Sequence, residues 1–127
     1  MGEKKLSNDE PVDAEKDPID WAIASNLTGG DEDLLDELAA LFPEESSRHA
    51  ETIRSALQLG DQDALQRAAH TLKSSAKLFG AEALSALAQQ IEALAGQAKI
   101  EQVENILPEL DSELERVILA MKRRREQ

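Results

Sequence analysis

No cysteine occurs in this chain, which excludes a disulfide, a thiolate nucleophile and any Cys-based metal site. Tyrosine is absent too, and one Trp with two Phe brings the aromatics to only 2%. A β-sandwich draws on aromatic and β-branched residues. A chain whose hydrophobic 41% is mostly Leu, Ala and Ile suits an all-helical bundle better. No apolar run is long enough to span a membrane, and no signal-peptide core is present. The chain is therefore expected to be soluble and cytoplasmic, without membrane insertion. Basic residues number 14 against 26 acidic ones, a net charge of -12. That balance argues against nucleic-acid binding, which rests on neutralising phosphates. It also makes any local basic patch more informative.

The 127 residues have room for one domain and a tail. Residues 1–17 are polar, mostly acidic and without a periodic apolar face, as expected of a disordered lead-in or linker. From there, 18–125 read as helices. A short one is expected to start at Asp17-Pro18 and carry Ile19, Trp21 and Ile23 towards Leu27, with Trp21 as a plug over one end of the core. No second aromatic lies near Trp21 in the sequence. Thr28-Gly29-Gly30-Asp31 breaks the chain and caps a helix that buries Leu35, Leu38, Phe42, Ala50, Ile53 and Leu57 and stops at Gly60. Pro43 falls inside it and should bend it without ending it, because the apolar spacing resumes in phase. Asp61 caps the next helix, which ends near Gly80. Another runs from about Ala81 to Ala98, with Leu84, Leu87, Ala88, Ile91, Leu94 and Ala95 inward. The last is expected from Ile100 or Glu101, with Val103, Leu107, Leu110, Leu114, Val117 and Met121 inward and a kink at Pro108. Short loops between helices of similar length predict an antiparallel up-down four-helix bundle with a short additional N-terminal helix. Lys122 to Arg125 suit the negative end of the last helix dipole.

The stretch Gln66 to Ala81, QRAAHTLKSSAKLFGA, contains no acidic residue in a strongly acidic chain. At about 100° per residue, Leu65, Ala68, Leu72, Ala76 and Phe79 form one apolar stripe. His70 falls on the opposite side, among Gln66, Arg67, Lys73, Ser74 and Lys77. On its own helix the imidazole points outward, with only positive charge among its ionisable neighbours. A nucleophile that must meet an anionic group needs such a setting. His49, on another helix, lacks it and reads as structural or merely exposed.

His70-Thr71-Leu72-Lys73-Ser74-Ser75, with Ala69 before it and Gly80-Ala81 after it, resembles the signature of histidine-containing phosphotransfer (HPt) domains of two-component phosphorelays. The resemblance spans roughly Ile19 to Met121. It implies a phosphoprotein of signal transduction, a four-helix bundle whose exposed His takes a phosphoryl group from the aspartyl phosphate of one receiver domain and passes it to an Asp of another. Carried onto this sequence, His70 matches the phosphorylated residue and Lys73 the Lys one turn on. Ser74 stands where the family usually has Gly, and Lys77 where it often has a neutral amide. Lys73 and Lys77 are expected to stabilise phosphoryl oxygens. Arg67, Ser74 and Ser75 are expected at the receiver-docking face, and Leu78 either there, as an apolar contact, or packed between helices. The implied partners are response-regulator receiver domains and a hybrid sensor histidine kinase, met by a monomer.

A neutral imidazole is a competent nucleophile near pH 7, and phosphoryl transfer needs positioning and charge stabilisation more than covalent help. The sequence has no Gly-rich phosphate loop, so neither an ATP site nor kinase activity of its own is expected. No cofactor of its own is expected either, and Mg2+ should arrive with the receiver. Two other readings compete. A degenerate HPt adaptor would keep the bundle and dock receivers without carrying phosphate. A metal-binding bundle would need inward Glu-x-x-His motifs, and none lies near either His.

Overall fold

The computed structural model describes residues 17–125. The expected tail, 1–17, lies outside the described residues except for Asp17. Five α-helices follow in order: α1 Trp21–Leu27, α2 Glu32–Leu59, α3 Gln62–Leu78, α4 Glu82–Gly96 and α5 Leu107–Arg125, with a 3-10 segment at Ile100–Asn105 before α5. Helix α2 packs on α3, α3 on α4, α4 on α5, and α5 returns to α2. With such short connections this ring is the expected up-down four-helix bundle, and α1 lies against α2 and α3.

Local chemistry sets the helix ends. The Asp31 carboxylate accepts from the Leu34 N–H at 3.1 Å, and Asp61 accepts from the Ala64 N–H at 3.1 Å. Such a cap stabilises a helix by about 1 kcal/mol. Gly60 closes α2 in the left-handed conformation, φ 69°. Two expected starts move. Helix α1 begins at Trp21, where Asp20 accepts from the Ala22 and Ile23 N–H groups at 3.1 and 3.3 Å. Asp17 instead accepts from the Ile19 N–H at 3.0 Å. Helix α5 begins at Leu107, so Pro108 occupies its first turn and costs no intrahelical bond. The stretch before it is the 3-10 segment, entered after Ala98 at φ 60°, so the expected kink becomes a helix start. Helix α4 stops at Gly96, two residues short of its expected end. Pro43 sits within α2, which runs through it unbroken.

Leu35, Phe42 and Ile53 from α2, Leu65, Leu72 and Phe79 at α3, Leu84 and Ile91 from α4, and Leu110, Val117 and Met121 from α5 are all buried. Leu38, Leu57 and Leu94, expected inward, pack partly buried at the margin. In the N-terminal segment Ile19 and Ala24 face the core, while Ile23 and Leu27 are exposed. Trp21 does have aromatic company. Its ring meets Phe79 edge-on at 6.1 Å, and Phe79 meets Phe42 edge-on at 5.4 Å. Phe79 follows α3 directly, so this cluster pins the C-terminal end of the His70 helix.

Candidate functional site

Leu65, Ala68, Ala69, Leu72 and Ala76 bury one side of α3 and fix its rotation. That leaves Arg67, His70, Ser74 and Lys77 exposed on the other side, as the wheel predicts. The His70 side chain is 58% exposed, and that of Lys73 only 19%. Ser75 is half-buried, and Leu78, expected at the docking face or between helices, packs partly buried against the core.

The environment of His70 differs from expectation in one respect. Glu92, on α4, places one carboxylate oxygen 2.8 Å from His70 Nδ1 and the other 2.8 Å from Lys73 Nζ. Read from the stretch Gln66 to Ala81 alone, every ionisable neighbour of His70 is basic; in the folded chain its hydrogen-bonded ionisable partner is an acid. The signal lies in the helical hairpin. With its turn at Gly80-Ala81, residues equidistant from the turn face each other, and Glu92 falls opposite His70. It also borders the α4 stripe of Ala88, Ile91 and Ala95, the flank that meets α3.

This bridge has chemical consequences. The Lys73 hydrogen bond, then the one from His70, hold the Glu92 carboxyl below the ordinary carboxylate range, against an opposing effect of desolvation. Ionised, Glu92 only accepts hydrogen bonds, so Nδ1 of His70 is the donor. A neutral ring in that tautomer carries its lone pair on Nε2. Beside it, Asp63, Gln66, Arg67, His70, Thr71 and Glu92 line an open cleft of about 420 Å³. The Thr71 hydroxyl is spent on its own helix, donating to the Arg67 carbonyl at 3.0 Å.

Gly80-Ala81 serves the fold rather than the chemistry. Gly80 has φ 62°, and a Cβ there would lie 2.6 Å from the Asp20 Cβ. The Asp20 N–H donates to the Phe79 carbonyl at 2.9 Å, so the N-terminal segment is seated directly on this turn. His49 is half-buried, and burial, then Arg48, lower its pKa against the opposing Glu45. Among the described residues no cluster of His, Asp and Glu could hold a metal ion, and no helix is long and apolar enough to cross a membrane.

A family model described as Hpt domain matches residues 37–120. Two solved structures share the fold. Histidine-containing phosphotransfer protein B from Pseudomonas aeruginosa PAO1 is 24% identical, with a TM-score of 0.79 over 85% of this chain and 94% of that one. The HPT domain of a sensor hybrid histidine kinase from Shewanella is 23% identical, with a TM-score of 0.72 over 84% of this chain and 92% of that one. A search of curated proteins gave no match.

Proposed function

The chain belongs to the Hpt domain family, and from that premise we propose that it is a phosphorelay intermediate carrying the phosphoryl group on Nε2 of His70. One observation carries this reading. The imidazole is 58% exposed, with Nδ1 tied to Glu92 and the opposite nitrogen left to solvent. The Nε2 lone pair attacks the phosphorus of a receiver's aspartyl phosphate. A nitrogen–phosphorus bond forms, and the phosphorus–oxygen bond breaks with its electron pair leaving on the receiver's carboxylate. The Nδ1 proton stays in its hydrogen bond to Glu92, which offsets the positive charge that develops on the ring. Lys73 neutralises that carboxylate, so the arriving phosphoryl group does not meet an unpaired negative charge. Transfer onward to an Asp of a second receiver is the reverse step. Mg2+ comes with the receiver in this scheme, and a hybrid sensor kinase is the source of the phosphoryl group.

Incubation with a phosphorylated receiver tests this directly. The chain should acquire label that is acid-labile and alkali-stable, and His70→Gln should abolish it with helicity unchanged. A folded chain that takes no label from a broad panel of receivers would be an adaptor, and label persisting in His70→Gln would refute the site.

A further inference from the structure

We infer that the cation meeting the transferred phosphoryl group is Arg67, one turn before His70, and that Lys73 serves instead as the counter-ion of Glu92. The inference rests on the phosphocarrier reading and assigns the phosphoryl contact within it.

Three observations converge. First, Lys73 is already engaged: its ammonium lies 2.8 Å from Glu92 and its side chain is only 19% exposed. Drawing it towards a phosphoryl group would strip Glu92 of the partner that most lowers its pKa. An unpaired carboxylate would then stand beside the incoming dianion. Second, Arg67 is exposed and has no ion pair among the described residues. It lines the same cleft as His70, and Lys73 does not. Third, side chains on a helix lean towards its N-terminus. The imidazole of His70 therefore covers the turn that carries Gln66 and Arg67, while Lys73 leans towards His70 and finds Glu92. Lys77 starts seven residues on, about 10 Å further along the axis and on the side away from that lean.

Guanidinium chemistry suits the task. Its planar fork binds two phosphoryl oxygens at once. Asp63 also lines the cleft, so a cation there offsets a second carboxylate besides Glu92.

The test uses two donors: a phosphorylated receiver domain, and phosphoramidate, a small donor that makes no docking contact. Arg67→Ala should slow His70 labelling roughly tenfold or more with both donors, as the loss of a charge-assisted contact to the phosphoryl group implies. Arg67→Lys should recover part of the rate, since it keeps the charge and loses the fork. Loss of rate with the receiver alone would overturn the inference and make Arg67 a docking residue. An unchanged rate with both donors would overturn it too. If the wild-type chain took no label from either donor, the phosphocarrier reading would fail first and this inference with it. Arg67 is exposed, and unchanged helicity will separate a binding loss from unfolding.

Discussion

At one end of the bundle Arg124 lies 4.5 Å above the Trp21 ring and reaches Glu32 at 3.0 Å and Asp36 at 3.4 Å. Midway along α3, Lys73 reaches Glu92, and Glu92 holds His70. Both arrangements join a basic side chain to carboxylates of a neighbouring helix. At the first, the cation is surrounded: an aromatic face on one side and two acids beyond it tie α1, α2 and α5 together. The second leaves one group out. The acid is shared by a lysine and an imidazole, and the imidazole keeps its far nitrogen free. A cluster whose charges pair within the bundle holds helices in place, whereas one that ends on an exposed lone pair can exchange a group with a partner.

The two regions can be broken separately. The largest stability effect should come from Phe79→Ala, which removes the ring joining Trp21 to Phe42. About 3–5 kcal/mol should be lost, read as a lower denaturant midpoint. Arg124→Ala should cost less, about 1 kcal/mol, because its ion pairs are partly solvated and the cation–π contact is a single one. It should shift the emission of Trp21, the sole tryptophan, while His70 labelling stays at the wild-type rate. Unchanged emission would mean that the guanidinium does not sit over the ring in solution.

Glu92→Gln should reverse that profile, with a small loss of stability near neutral pH and labelling of His70 slower. Its stability effect is pH-dependent. The folded Glu92 carboxyl titrates below the ordinary 4.5, so its contribution is present above that value and lost as pH falls through the lowered one. Wild type and variant should therefore converge in denaturant midpoint on acidification. A gap that stays constant with pH would refute the bridge. The smallest effect concerns His49. Its lowered pKa means that the unfolded chain takes up the proton first, so stability is full above 6.5 and declines as pH falls from there. His49→Gln should flatten that part of the profile.

The parts of the molecule legible in the sequence were those governed by local period and local chemistry. The stripe from Leu65 to Phe79, the caps Asp31 and Asp61, and the stop at Gly60 follow from spacing and backbone needs. They came out as expected. Pro108 was misplaced because a proline reads alike at a kink and in a first turn; only the 3-10 segment before it decides between them. Trp21 looked solitary because Phe79 lies far along the chain. Glu92 was missed for the same reason: a helical wheel knows only its own helix, and the acid beside His70 belongs to the next one.

The near-contact between Gly80 and Asp20 bears on how relatives of this chain should be recognised. The glycine of the motif around His70 marks where the N-terminal segment is seated, a need unrelated to phosphate. A relative that had lost its histidine would still keep the glycine as long as it kept that segment. One that had shed the segment would be free to vary there and could still carry phosphate. Presence of the glycine is thus a marker of architecture, and only the histidine with its acidic partner across the hairpin is a marker of chemistry.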